Sequence, residues 1–168
     1  MAIYKKILLA VDGSPTSAQA LKQIANFAAP DATVRVVHVV EDPLTTFPMI
    51  NDDFTYIELL REVSVAEGKK ILAKAEADLR SQGYEVQTSM LDLRDMDCDI
   101  PGAIKAEGEN WGADLTVLGT HGRRGVRRLL MGSVAEHFVR ISERPVLLVH
   151  GNEQASKEPA QENLAAKE

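Results

Sequence analysis

The sequence predicts an α/β domain with an open, five-stranded parallel sheet and helices on both faces. Three observations carry this reading. The run Ile7-Leu8-Leu9-Ala10-Val11 is continuously apolar, as in a strand buried on both faces. Strand-like runs alternate with segments of helical periodicity, which implies right-handed crossovers between parallel strands. One segment instead alternates strictly, Tyr84, Val86, Thr88 and Met90 against Glu85, Gln87 and Ser89, and so reads as an edge strand exposed on one face.

Residues 3–11 form the first strand, which Asp12-Gly13-Ser14-Pro15 breaks. Ser14 suits a helix N-cap with Pro15 at the first helical position. Leu21, Ile24, Ala25 and Ala28 then share one helix face until Pro30-Asp31 stops the helix. Residues 33–40 form the second strand, with His38 as a packing residue, and a loop with Pro43 and Pro48 comes next. A long helix over 55–81 turns Leu72, Ala75 and Leu79 inward and ends at Gly83. After the edge strand, the acidic stretch Asp92 to Asp99 has no period and reads as a loop. Asp99 caps a helix with Pro101 in its first turn, Ile100, Ala103 and Ile104 on its buried face and Gly112 at its end. Residues 114–118 make the fourth strand. Val134, His137, Phe138 and Ile141 define the buried face of the next helix, which makes His137 a core histidine. Residues 145–149 make the fifth strand, and His150 behind it has no evident role.

Length and composition fit one soluble globular domain: 168 residues, 45% hydrophobic and 26% charged. No apolar run approaches the roughly 20 residues that span a membrane. Nor does the start, Met1-Ala2-Ile3-Tyr4-Lys5-Lys6, read as a signal peptide, so the expected compartment is the cytoplasm. The lone Cys98 permits no internal disulfide and reads as a loop residue. Residues 1–150 form the domain. Residues 151–168, rich in Glu, Ala, Gln and Lys, read as a disordered tail. The net charge is −6, which argues against a nucleic-acid partner. Yet residues 120–131 hold Arg123, Arg124, Arg127 and Arg128 and no acid. A local basic patch on an acidic chain suits a small anion. Arg123 is near enough to the loop to reach a phosphate, while Arg127 and Arg128 read as solvated or paired charges.

Two common nucleotide patterns are missing, Gly-x-x-x-x-Gly-Lys-Ser/Thr and Gly-x-Gly-x-x-Gly after the first strand. The fourth strand leads instead into Gly119-Thr120-His121-Gly122, nine residues, then Gly132-Ser133 at a helix start. Glycines let backbone approach a phosphate closely and take unusual dihedrals. The first N–H groups of the helix, at Ser133, Val134 and Ala135, present its positive end. Two plainer readings stand beside this one: Gly119 and Gly122 form a tight turn, and Ser133-Val134-Ala135-Glu136 is a capping box. His121 is either a phosphate or acid–base contact or an ordinary loop histidine. No His, Asp and Glu cluster has metal-site spacing.

The glycine spacing, with Lys6-Ile7-Leu8-Leu9-Ala10-Val11-Asp12-Gly13-Ser14, Val36-Val37-His38-Val39-Val40, Leu129-Leu130-Met131-Gly132-Ser133 and Arg144-Pro145-Val146-Leu147-Leu148-Val149, resembles the ATP-binding branch of the universal stress protein family over residues 1–150. The resemblance implies a Rossmann-like sheet of order 3-2-1-4-5 with its ligand at the switch point between the first and fourth strands. It implies that Asp12 approaches base and ribose, and that Ala10, Val11 and Val39 line an adenine pocket. Gly119, Gly122, Gly132, Ser133 and Val134 would contact phosphate and ribose, with Thr120, His121 and Arg123 beside them. ATP is the implied ligand, and Mg2+ would arrive with it, held largely by phosphates and water. Family members commonly pair through the last strand, and Val146-Leu147-Leu148-Val149 would be an unpaired apolar edge in a monomer, so a homodimer is expected. The implied role is a nucleotide-dependent stress-response or signalling module with an unidentified client protein. The rival is an ATP-hydrolysing or nucleotidyl-transferring enzyme on the same fold. No catalytic residue is assigned, because no carboxylate stands beside His121 and Arg123 in the sequence. The chain departs from the family pattern in two places. Ala135 stands where some relatives have a hydroxyl, and the Asp92–Asp99 loop is long and acidic, placed near the nucleotide or a partner.

Overall fold

The computed structural model describes residues 3–46, 54–122 and 131–151. Its elements run in the order β1 (Tyr4–Ala10), α1 (Pro15–Gln23), β2 (Ala28–Val40), α2 (Pro43–Thr46), α3 (Phe54–Ser81), β3 (Glu85–Asp92), α4 (Ile100–Trp111), β4 (Leu115–Gly119), α5 (Ser133–Ile141) and β5 (Val146–Val149). Short 3-10 turns at Ile24–Asn26 and Leu93–Asp95 complete it. The five strands are parallel and lie in the order β3-β2-β1-β4-β5. β1 therefore sits at the centre and the strand order reverses beside it, between β1 and β4. β3 is an edge, as its composition predicts.

Two apolar layers cover the sheet. One packs Ile7, Leu9, Val34, Val36 and Val117 under Leu21, Ile24, Leu72, Ala75 and Leu79 of α1, its following turn and α3. The other packs Leu8, Val37 and Leu118 under Ala103, Ile104, Ala135 and Phe138 of α4 and α5. Alternate residues of β1 thus feed opposite layers, which is why its sequence is apolar throughout.

Caps fix the helix starts that face the strand ends. Ser14 accepts from the Ser17 N–H at 3.2 Å and Asp99 from the Gly102 N–H at 2.9 Å, as their sequence positions predict. Gly112 ends α4 at φ 77°, a left-handed conformation that glycine adopts without strain.

Several expectations are corrected. α1 stops at Gln23, and β2 begins at Ala28, upstream of Pro30. Ala28 is buried in the strand and Ala25 is exposed, so these two do not belong to one helix face. The β1–β2 register jumps from Tyr4↔Ala28 to Lys6↔Thr33, and the exposed Pro30 sits in that irregular stretch, where a strand tolerates a missing N–H. On β3, Val86 and Leu91 are buried while Thr88 is exposed, so strict alternation does not hold. His137 is half exposed and pairs with Asp99 at 3.0 Å; Ala135 and Phe138 face the core instead. The four arginines between Arg123 and Arg128, Pro48, and the tail beyond Gly151 lie outside the described residues. Among the described residues, no helix is long and apolar enough to cross a membrane.

Candidate functional site

A cavity of about 890 Å³ opens at the C-terminal ends of β1, β2 and β4. That is the switch point of the sheet, where crossovers leave in opposite directions and part. The size lies within the range of small-molecule and cofactor sites. Of the residues that the sequence marks for a nucleotide, Ala10, Val11, Asp12, Val39, Gly119, His121, Gly122, Gly132, Ser133 and Val134 all line this one cavity. Thr120 does not line it: the residue is fully buried behind His121. Arg123 lies outside the described residues.

Asp12 closes β1 and holds the turn into α1, its Oδ1 accepting the Ser14 N–H at 3.0 Å. From there a hydroxyl pair runs across to the glycine loop. Ser14 Oγ and Thr16 Oγ1 are 2.9 Å apart, and Thr16 Oγ1 donates to the carbonyl of His121. The loop after β4 is thus fastened to the start of α1 as well as to its own strand. Its far end is fastened too: the Gly132 N–H donates to the Thr120 carbonyl at 2.7 Å.

The glycines act through space rather than through dihedral freedom. Among the described residues only Gly13, Gly83 and Gly112 have positive φ. Gly119, Gly122 and Gly132 do not have positive φ but have close neighbours where a side chain would begin. An added β-carbon would lie 2.9 Å from Thr16 at Gly119, 2.8 Å from Asp12 Oδ2 at Gly122, and 3.0 Å from the Thr120 carbonyl oxygen at Gly132. The expectation of unusual dihedrals is therefore replaced by one of close approach. Nor is the capping-box reading seen: Gly132 is the N-cap of α5, without a side-chain cap bond, and Ser133 is already inside the helix. Ala135 is 2% exposed in the core and does not line the cavity, so a hydroxyl at its position would face the core rather than a ligand.

Sequence reading missed the rest of the wall. The first part of α3 supplies Leu60, Ser64 and Glu67, and the segment after β2 supplies Glu41 and Pro43. The spacing 60, 64, 67 is that of one helix face, but nothing in the sequence says that α3 lies over the cavity rather than over the sheet alone. His38 does more than pack. It is 7% exposed, lines the cavity, and its Nδ1 lies 2.8 Å from the carbonyl oxygen of Val11. A carbonyl only accepts, so His38 carries a proton on Nδ1. Gly68 of α3 makes room for this ring: a β-carbon there would lie 2.6 Å from His38 Cδ2.

The charged side chains lining the described cavity are Asp12, Glu41 and Glu67. Backbone N–H groups of the glycine loop and the start of α5, where the helix dipole favours negative charge, suit an anionic ligand. Asp12 Oδ2 stands against Gly122, which corrects the expectation that no carboxylate adjoins the loop. The Asp92–Asp99 stretch does not line the cavity. Asp92 ion-pairs with Arg61 of α3, and Arg94 bridges Glu58 at 2.9 Å and Asp42 at 4.0 Å. These pairs tie the end of β3 and the turn after it to α3 and to the segment after β2, and Asp99 is tied to α5 through His137. Among the described residues no group of three or more His, Cys, Asp or Glu is arranged to hold a metal ion.

Comparison with known proteins agrees with this architecture. The family model described as the universal stress protein family matches residues 3–150. Universal stress protein MJ0531 of Methanocaldococcus jannaschii is 35% identical over 150 residues, 88% of this chain and 82% of its own length. Among solved structures, MJ0577 of the same organism aligns with a TM-score of 0.77 at 25% identity, over 90% of this chain and 99% of its own. A family member from Arabidopsis thaliana, solved with AMP bound, has the same fold at a TM-score of 0.65 and 17% identity, over 92% of this chain and 97% of its own.

Proposed function

The chain belongs to the universal stress protein family, and from that premise we propose that its cavity binds an adenine nucleotide, with ATP as the principal ligand. The observation that carries the reading is the convergence of Gly119, Gly122, Gly132 and the start of α5 on the same 890 Å³ cavity as Asp12, Val11 and Val39. Val11 and Val39 are apolar lining residues that suit a flat base, Asp12 suits ribose hydroxyls, and the loop N–H groups suit phosphates. A family member of the same fold, solved with AMP bound, lends support to an adenine nucleotide as the ligand. Mg2+ accompanies the nucleotide and offsets phosphate charge beside Asp12, Glu41 and Glu67.

The protein acts in the cytoplasm as a nucleotide-dependent stress-response or signalling module. A second copy adds at the open edge of β5, and the nucleotide-bound dimer answers to a client protein. One observation favours a second reading, slow hydrolysis: the Asp12 carboxylate lies against the glycine loop.

Isothermal titration of the full chain with ATP, AMP, adenosine and GTP, each with and without Mg2+, tests the proposal. ATP should bind at micromolar concentration or tighter and more strongly than adenosine. Absence of binding by both ATP and AMP at about 1 mM, a free energy of roughly −4 kcal/mol, would remove the nucleotide reading.

A further inference from the structure

The cavity at the strand ends wraps around the edge of the sheet, and its two sides differ in polarity. Ala10, Val39 and Val134 belong to the layer under α4 and α5, the side of the glycine loop. His38 belongs to the other side. It alternates with Val37 and Val39 along β2 and so shares a face with Val34 and Val36, which pack under α3. Ser17 stands on that side too, four residues before Leu21 of the same layer. Ser64 stands four residues before Gly68, where a β-carbon would lie 2.6 Å from His38 Cδ2 and 3.1 Å from its Nε2. Ser17, His38 and Ser64 all line the cavity.

Each of these three side chains has one polar hydrogen when the imidazole is neutral, and each gives it to a main-chain carbonyl. His38 Nδ1–H donates to Val11 at 2.8 Å, the Ser17 hydroxyl to Ser14 at 2.9 Å, and the Ser64 hydroxyl to Leu60 at 3.0 Å. What remains on them is lone pairs, on one ring nitrogen and two hydroxyl oxygens. Among the described residues, Arg61 Nε is the sealed side-chain atom without a partner. Nε2 of His38, to which no described residue donates, is therefore open to the cavity, although the residue as a whole is only 7% exposed. A buried acceptor left without a donor is costly. Glu41 and Glu67 line the same cavity, and an ionised carboxylate adds acceptors and negative charge whatever else it bonds to.

The complement of such a surface is a positively charged group with several N–H donors. A metal ion is a poor match, since no group of three or more His, Cys, Asp or Glu among the described residues is arranged to hold one. An alkylammonium carries three donors and a full charge. We propose that the α3 side of the cavity is a second binding site, which takes the primary ammonium group of a small organic amine on His38 Nε2 with Ser17 Oγ and Ser64 Oγ around it. The proposal does not rest on the nucleotide reading, because none of these three groups belongs to the glycine loop or to α5. Nor does one ligand exclude the other: at about 890 Å³ the cavity is near the top of the roughly 300–1,000 Å³ range of small-molecule sites.

The test titrates the full chain, free of nucleotide, with putrescine and with tetramethylammonium, a cation that has no N–H. Putrescine should bind with a dissociation constant below about 1 mM, and tetramethylammonium at least about tenfold more weakly. Long-range proton–nitrogen correlation spectra read the contact itself: putrescine should shift the His38 Nε2 resonance. Two variants locate the site. His38→Asn keeps a donor for the Val11 carbonyl and removes Nε2, and Ser64→Ala removes an acceptor from a helix position that alanine suits. Each should weaken putrescine by about tenfold or more. If circular dichroism shows His38→Asn unfolded, Ser64→Ala and the Nε2 resonance decide. No putrescine binding at about 10 mM would show that water alone meets these acceptors and would overturn the site. Equal binding of the two cations, an Nε2 resonance that putrescine does not move, or parent affinity in Ser64→Ala would each overturn it as well.

Discussion

A β-carbon placed on Gly122 would stand 2.8 Å from Oδ2 of Asp12, so the carboxylate that closes β1 leans on the loop after β4. The two ends of the candidate ligand site are therefore not independent. Gly122 guards the position of Asp12, whereas Gly132 guards the carbonyl of Thr120, which a β-carbon would approach to 3.0 Å.

The first prediction rests on that difference. Gly122→Ala should displace the Asp12 carboxylate and weaken adenosine as well as ATP. Gly132→Ala should crowd only the entry to α5 and weaken ATP while sparing adenosine. Loss of one charge-assisted contact is worth about 1.5–3 kcal/mol, or roughly ten- to hundredfold in affinity. Titration calorimetry with both ligands checks it. Equal losses of adenosine binding in the two variants would show that the loop is one unit and that the Asp12–Gly122 contact has no separate role.

The second prediction concerns Gly68, in the interior of the 28-residue helix α3. Glycine there costs about 1 kcal/mol against alanine by intrinsic propensity, so Gly68→Ala would stabilise an isolated helix. In this fold the new methyl would lie 2.6 Å from His38 Cδ2 and 3.2 Å from Met90 Cε. His38 cannot retreat without leaving the Val11 carbonyl. Overpacking of this kind costs about 1–3 kcal/mol. Gly68→Ala should therefore lower stability in urea unfolding and weaken the Val11 side of the cavity. A variant more stable than the parent would show that the ring and the helix adjust freely.

How much of the fold and site is legible in the sequence can be argued residue by residue. The caps at Ser14 and Asp99, the αL glycine at Gly112 and the inward face of Leu72, Ala75 and Leu79 are local chemistry, set within a few residues of sequence, and the structure shows each one. The glycine loop is legible as a motif, and so is its association with Asp12. The part played by α3 is not, because a helix of uniform composition gives no sign of what lies beneath its first half. Pro30 misleads because a proline after a helical pattern reads as a helix stop, while here it falls in a strand irregularity. His137 misleads because helical spacing alone cannot tell a face turned to the core from its border, where Asp99 stands as a partner.

The third prediction concerns assembly. β5 is an edge whose Val146, Leu147 and Leu148 are only partly buried. Unpaired strand edges are usually covered, so the full chain should be a dimer by light scattering at micromolar concentration. Leu148 also packs against the α4–α5 layer, so Leu148→Glu confounds pairing with folding. Deletion of residues 152–168 provides a second measurement. That variant should stay dimeric, because pairing through β5 does not need the tail. A monomer at all accessible concentrations, in a parent whose circular dichroism shows it folded, would end the edge-pairing argument.

The fourth prediction concerns turnover. Phosphoryl transfer to water needs a group that orients the water and charge that stabilises the γ-phosphate. Asp12 is the carboxylate that stands against the glycine loop, and its Oδ1 already accepts the Ser14 N–H at 3.0 Å. That bond commits one carboxylate oxygen to the turn into α1 rather than to a water. His121 is the described imidazole on the same wall, and its Nδ1 is engaged by Thr120. A site built this way holds ATP better than it cleaves it. Steady-state hydrolysis by the full chain with Mg2+ should stay below about 1 s⁻¹, the lower end of ordinary enzymes. Asp12→Asn keeps an acceptor for Ser14 but removes the base. It should leave any residual rate within about threefold if Asp12 only binds, and should lower it by about 10²-fold or more if Asp12 activates water. Phosphate release measured for both proteins at saturating ATP separates the two readings, and fast turnover lost in Asp12→Asn would make this chain a hydrolase rather than a nucleotide-binding module.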